Sequence, residues 1–192
     1  MFNFKSYFIS GIVLFFFLGT SVTYAEGEEK GLKLKVGSKP PLLVLNGNAG
    51  GKLSGGGWNS NIIGGKTTVV MYVDPDNLDD NYHVEEKIQE TFKKGDIKVF
   101  GIANAEATWI PNFMLRRRLS SKQSHNELLT IVMDYERRVE KTWGLKDERY
   151  NVMAFDKDGH LFFVREGKLD EIELDKLINK LKENMGGEQS SS

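Results

Sequence analysis

The chain has 192 residues, of which 40% are apolar and 28% are charged, and its formal net charge is −1 at pH 7. This is the composition of an ordinary globular protein with one sizeable core, and it gives no reason to expect nucleic acid or an anionic membrane as the main partner. The sequence contains no cysteine, which excludes disulfide bonds and every thiol oxidoreductase or peroxidase activity.

The first 25 residues have the plan of a secretory signal peptide. Lys5 supplies a positive charge, residues 9–18 form a short apolar core, and Ala25 ends a small-residue cleavage site. The apolar run is shorter than the roughly 20 residues that a membrane-spanning helix needs. We therefore predict cleavage, export to the periplasm, and a mature protein that begins at Glu26, carries a formal charge of −2 and has no membrane span.

Residues 26–65 precede the predicted core. A charged leader is followed by a short apolar strand at 42–45 and then by a glycine-rich turn. Strand residues beside a cluster of glycines are typical of a hairpin. The segment is therefore predicted to form an N-terminal β flap that caps the sheet of the core.

The predicted core, residues 66–184, is organised around a buried strand at 67–73. This strand breaks at Asp74-Pro75 into an acidic turn, and a helix follows at about 80–93. The later predicted elements are a strand at 97–103, a helix with Thr108 as its N-cap and Pro111 in its first turn, a polar loop at 120–126, a strand at 128–133, a short helix from Asp134 to Gly144, a hairpin at 152–164 and a helix at 170–184. Residues 185–192 are predicted to be a disordered tail.

Strands that alternate with helices demand a sheet with parallel crossovers, and the Asp-Gly hairpin adds an antiparallel pair at one edge. The predicted fold class is therefore α/β: a thioredoxin-like three-layer sandwich with a mixed sheet, an N-terminal β flap, and a C-terminal β-hairpin plus helix.

Three stretches carry a resemblance to a known family: Trp58 to Lys66, the run LLTIVMDYERRVEKTWGL, and the run NVMAFDKDGHLFFVREGKL. With these stretches the chain resembles the YtfJ-type family of exported bacterial proteins, which is related to the thioredoxin and peroxiredoxin-like proteins. The resemblance covers roughly residues 36–182. It implies a periplasmic location and a thioredoxin-like fold, but the motifs that carry it contain no catalytic chemistry.

The redox site of active thioredoxins does not carry over to this chain. Their two cysteines follow the first core strand, where this sequence has Asp74, Pro75, Asp76 and Asn77. Their cis-proline, which lies opposite the cysteines, corresponds to Asn151. The resemblance thus implies a redox-inactive domain, and these five residues are the predicted groove for a ligand or partner.

The acidic turn is also a candidate divalent-cation site. Asp74, Asp76, Asp79 and Asp80 are hard oxygen ligands at the carboxyl end of a strand, where open α/β sheets commonly bind ligands. The spacing does not fit an EF-hand, because Asp79 stands where that loop needs a glycine. The alternative is structural, since Asp79 or Asp80 could cap the following helix.

The three tryptophans, Trp58, Trp109 and Trp143, are interpreted first as core or flap residues. If Trp58 and Trp109 were instead exposed and adjacent, they would mark a contact surface. His83, His125 and His160 lie at unrelated positions and are interpreted as surface histidines.

Two functions remain open from the sequence. The first and favoured one is a redox-inactive binding or accessory protein whose partner is an unknown protein or small ligand. It needs no cofactor, and an enzymatic role is the less favoured reading. The second is a metal-dependent hydrolase or cation-binding protein that uses the acidic turn.

Overall fold

The computed structural model describes residues 31–145 and 150–189. Within these ranges the chain forms eight strands and four α-helices. The strands are β1 (Val44–Leu45), β2 (Gly50–Lys52), β3 (Trp58–Asn59), β4 (Thr68–Val73), β5 (Lys98–Asn104), β6 (Leu129–Asp134), β7 (Asn151–Phe155) and β8 (Leu161–Glu166). The helices are α1 (Tyr82–Thr91), α2 (Asn112–His125), α3 (Arg138–Trp143) and α4 (Glu171–Gln189).

Six of the strands form one mixed sheet in the order β2-β6-β5-β4-β7-β8. The strands β4, β5 and β6 are parallel, whereas β7 is antiparallel to β4 and β8 is antiparallel to β7. The predicted parallel crossovers and the C-terminal antiparallel hairpin are therefore present. The α/β, thioredoxin-like fold class is confirmed.

The sheet is covered on both faces, which explains why every residue of β4 is buried. One face carries Val69, Met71 and Val73, which pack in a cluster with apolar side chains of α1, α2 and α4. The other face carries Val70 and Tyr72, which pack with α3 and the N-terminal segment. The result is the predicted three-layer arrangement, with β4 at its centre.

The N-terminal segment does more than cap the sheet. The two short strands β1 and β3 pair with each other, but β2 pairs antiparallel with β6 and becomes an edge strand of the main sheet. The close approach depends on Gly50, whose φ is +140° and where a Cβ atom would lie only 2.0 Å from the carbonyl oxygen of Met133. The glycine-rich composition that predicted a turn thus also serves strand pairing.

The helix α2 differs from its prediction at both ends. It begins at Asn112 with Pro111 as N-cap, while the Thr108 hydroxyl accepts the Ile110 N–H instead of capping the helix. The predicted loop at 120–126 is helical as far as His125. A tertiary contact stabilises the helical form of this polar segment, since Gln123 Oε1 accepts the Ile131 N–H at 2.6 Å.

Two further predicted boundaries are also corrected. Asp134 belongs to β6, and its carboxylate accepts the N–H groups of Glu136 and of Arg138 and Val139, the first two residues of α3. The last helix continues to Gln189, although disorder was predicted from residue 185. Residues 190–192 and the predicted signal peptide, 1–25, lie outside the described residues. Of the helices in the described ranges, none is long and apolar enough to cross a membrane.

Candidate functional site

The acidic turn lies at the carboxyl end of β4, in front of α1, as predicted. Asp74 is 7% exposed, and its carboxylate is occupied by its own turn. Oδ1 accepts the Asp76 N–H at 2.9 Å, and Oδ2 accepts from Asn77 Nδ2 at 3.3 Å. Pro75 is buried in the first turn of a short 3₁₀ helix that Asp74 caps. The role of Asp74 in this structure is therefore to hold the turn.

The four predicted cation ligands are not gathered into one ligand set. Asp76 Oδ1 accepts the Thr108 hydroxyl at 2.9 Å, while Asp79 and Asp80 are exposed. Within the described ranges, the group with three possible ligand atoms inside 4.8 Å of one another is a different one, formed by Asp156, Asp158 and His160 in the β7–β8 turn. There Asp156 Oδ1 already accepts the N–H groups of Asp158 and His160, which is what an Asp-Gly hairpin turn requires.

Asn151 is close to the acidic turn in the fold, but it is fully buried. It begins β7 and pairs with Tyr72, two residues before Asp74. The predicted groove of Asp74, Pro75, Asp76, Asn77 and Asn151 is therefore brought to one end of the sheet, but only Asp76 is exposed and Asn77 half-buried. The other three residues, Asp74, Pro75 and Asn151, are buried beneath the surface at this end of the sheet and are not accessible to a ligand.

The exposed surface at this end is built by the segment between β5 and α2 and by the first turn of α2. Trp109 is 86% exposed, Phe113 is 74% exposed and Met114 is 53% exposed. The hydrogen bond from Thr108 ties this segment to Asp76. We call Asp76, Asn77 and residues 108–114 the edge surface. A large apolar group exposed beside polar residues is typical of a contact surface.

The expectation for the tryptophans is confirmed for two of the three. Trp58 is 2% exposed and Trp143 is fully buried, but Trp109 is not a core residue. The condition that Trp58 and Trp109 lie exposed side by side is not met, so the contact surface involves Trp109 without Trp58. A recess of about 490 Å³ adjoins the edge surface and is lined by Gly47, Asn48, Ala105, Glu106, Asn112 and Tyr135.

Sequence reasoning missed a buried polar group between α1, α2 and β7. Glu85 is 6% exposed, and its Oε1 accepts both the Tyr150 hydroxyl at 2.9 Å and Lys122 Nζ at 2.8 Å. Burial and the neighbouring Glu85 carboxylate raise the pKa of Tyr150 well above its ordinary value, so this tyrosine remains a donor. The sequence did contain a signal for the burial of Glu85. This residue lies next to Val84 and three residues before Ile88, which places it on the buried side of α1.

Asn104 was also missed. It ends β5, pairs in register with Asp134 and is 2% exposed, and its amide oxygen has no hydrogen-bond partner among the described residues. A buried acceptor without a donor is uncommon in a folded protein. The carboxyl end of the sheet thus contains one polar group that its own contacts leave unsatisfied.

The architecture and the missing thiols define this molecule as a cysteine-less protein of thioredoxin-like fold. The chain belongs to the family described as a bacterial protein of unknown function (YtfJ_HI0045), whose model matches residues 42–184. Among curated proteins, nothing matches.

Solved structures of similar fold contain thioredoxin-type domains. A putative thioredoxin from Neisseria meningitidis is 19% identical with a TM-score of 0.57, and the match covers 77% of this chain and 92% of that one. A peroxiredoxin-like protein from Aquifex aeolicus is 16% identical with a TM-score of 0.56, covering 80% and 90%. A putative thiol:disulfide interchange protein DsbE from Chlorobium tepidum is 11% identical with a TM-score of 0.52, covering 79% and 99%. At these identities the likeness concerns the fold alone.

Proposed function

We propose that this protein is an exported, redox-inactive thioredoxin-like protein that binds a partner, a protein or a small ligand, through the edge surface. The observation that carries the proposal is Trp109, a large aromatic side chain that is 86% exposed beside the acidic turn. Exposing a side chain of this size to water is unfavourable, and tryptophans that become buried on association contribute strongly to binding.

Two further features support binding at this end of the sheet. Phe113 and Met114 extend the apolar area, while Asp76 and Asn77 add polar groups beside it. An apolar centre with a polar rim is the usual anatomy of a protein interface. The position also suits binding, because open α/β sheets take their ligands at the carboxyl ends of their strands.

Site-specific photocrosslinking in the producing bacterium tests the proposal. Position 109 receives a photoreactive phenylalanine analogue, and position 172 receives the same group as a matched control. Ile172 is 79% exposed and lies on α4, outside the residues that define the edge surface. We expect a discrete light-dependent adduct from position 109 and none from position 172. No adduct from position 109, or the same adduct from both positions, would refute binding through the edge surface.

Export is tested separately on the natural protein. The proposal expects a periplasmic protein whose first residue is Glu26, because Ala25 ends the cleavage site of a secretory signal peptide. N-terminal sequencing of material from the periplasmic fraction measures this directly. Material that begins at Met1 would contradict cleavage, and recovery from the cytoplasm alone would contradict export.

A further inference from the structure

A polar cleft lies between α1 and α2, apart from the edge surface. Its volume is about 360 Å³, and residues of both helices line it. The Glu85–Lys122 ion pair, 2.8 Å long, joins the two helices within it, and Gln89 Nε2 donates to the carbonyl of His125 at 3.2 Å. Two contacts therefore cross the cleft and join its walls.

The formal charges of the cleft are segregated by helix. The α1 wall supplies the carboxylates of Glu85 and Glu86, and the α2 wall supplies the cations of Arg118 and Lys122. The two signs balance when His125 is neutral. A cleft of this kind attracts no simple anion or cation over the other, but it favours a molecule that has both charges at opposite ends.

Glu85 gives the cleft an unused acceptor. Both donors to this carboxylate, Tyr150 and Lys122, reach Oε1, whereas Oε2 accepts no hydrogen bond from the described residues. The side chain is only 7% exposed. Oε2 therefore remains able to accept a charge-assisted hydrogen bond from a bound ammonium or N–H group.

Arg118 offers the complementary group on the other wall. It is exposed at the cleft and forms no ion pair with another described residue. A guanidinium presents several donors in a planar fork, which matches the two oxygens of a carboxylate. The opposite wall of the cleft therefore suits the anionic end of the same molecule.

We propose that the cleft between α1 and α2 binds a small zwitterion with an ammonium and a carboxylate, such as an amino acid or a short peptide. The carboxylate lies against Arg118 and Lys122, and the ammonium lies against Glu85 and Glu86. This site is separate from the edge surface, so its ligand is a second binding activity and does not depend on the partner proposed for Trp109.

Isothermal titration calorimetry with three related probes tests the proposal on the whole mature protein. Glycylglycine has both charges, N-acetylglycine has only the carboxylate, and glycinamide has only the ammonium. We expect glycylglycine to bind at least about tenfold more tightly than either singly charged probe, since each lost contact is a charge-assisted one. Equal binding of all three, or no measurable binding of glycylglycine, would overturn the proposal.

A pair of arginine variants locates the site. Arg118→Gln removes the guanidinium from the cleft, whereas Arg117→Gln removes a neighbouring exposed guanidinium that does not line it. We expect glycylglycine affinity to fall about tenfold in the first variant and to change less than about twofold in the second. Equal losses in both would mean a nonspecific charge effect and would refute the site. Trp109→Ala should leave the affinity unchanged, which separates this site from the edge surface.

Discussion

Two tryptophans show how the layer behind the sheet differs from the carboxyl end of the sheet. Trp143 is fully buried in the layer of α3, where its Nε1 donates to the carbonyl of Pro41 at 2.9 Å and its ring contacts Phe155. Trp109 is 86% exposed in a segment without regular structure. The first is part of the core, whereas the second is accessible to another molecule.

The largest expected effect comes from replacing Trp143, the buried tryptophan of the pair. Trp143→Ala should lower the free energy of unfolding by about 3–5 kcal/mol, because it removes a fully buried aromatic side chain and leaves a cavity. Trp109→Ala is the matched control and should change it by less than about 0.5 kcal/mol, as for an ordinary surface position. Denaturant melts measure both. A loss below about 1 kcal/mol for Trp143→Ala would contradict the packing of this layer.

The burial of Trp143 could be predicted from the sequence, whereas the exposure of Trp109 could not. Trp143 follows Val139 by four residues and precedes Gly144, so helical spacing indicated a buried face and a helix end. Trp109 lies between β5 and α2, where no periodicity exists to indicate which side is buried. The fold class could be predicted because it depends on periodic elements and their order. The exposure of a loop residue depends on tertiary contacts.

The candidate site was predictable in position but not in contacts. The acidic turn does end the central strand, but composition could not show that the oxygens of Asp74 are occupied by Asp76 and Asn77. Conversely, Glu85 lies outside the acidic turn and was missed. Its hydrogen-bond partner Tyr150 is 65 positions further along the chain. Whether a carboxylate is structural or can bind a ligand depends on the hydrogen bonds that its oxygens already accept. The number of acidic residues nearby does not decide it.

The next largest effect tests the structural carboxylates at the carboxyl end of the sheet. Asp134 is fully buried and accepts three backbone N–H groups. Asp134→Ala should lower the free energy of unfolding by about 2–4 kcal/mol, because it leaves three backbone N–H groups, one buried and two partly buried, without their acceptor.

The control is Asp79→Ala, which removes an exposed acid of the acidic turn. Its effect in the same denaturant melts should stay within about 0.5 kcal/mol. If both variants lost equal stability, the distinction between occupied and solvated carboxylates at this end of the sheet would be wrong.

A smaller effect concerns the Tyr150 hydroxyl, which donates to Glu85. Tyr150→Phe should lower the free energy of unfolding by about 1 kcal/mol at neutral pH, because Glu85 loses one donor. Since the pKa of Tyr150 is raised in the folded state above its ordinary value of 10.0, the unfolded chain releases this proton first as the pH increases. The stabilisation is therefore complete below about pH 10 and is lost above it.

Melts between neutral pH and about pH 11 measure this dependence. The wild-type protein should lose stability steeply above about pH 10, and Tyr150→Phe should lose less over the same range. Tyr82→Phe is the control, because Tyr82 is 52% exposed and solvent screens its interaction with Glu86. An alkaline loss of the same steepness in the wild type and in Tyr150→Phe would show that Tyr150 does not cause it.

The smallest expected effect is a gain of redox activity, which should be close to zero. Asp74→Cys together with Asn77→Cys reproduces the spacing of a Cys-x-x-Cys pair at the end of β4. A working pair needs an accessible thiolate, whereas position 74 is 7% exposed and Asp76, Asp79 and Asp80 would oppose a negative charge there. The substitution also removes the acceptor that holds the turn. Insulin reduction should stay near the background of the cysteine-less chain, and alkylation rates against pH should give a thiol pKa above that of thioredoxin. A thiol pKa near about 7 with turnover close to that of thioredoxin would show that the acidic turn does not oppose redox chemistry.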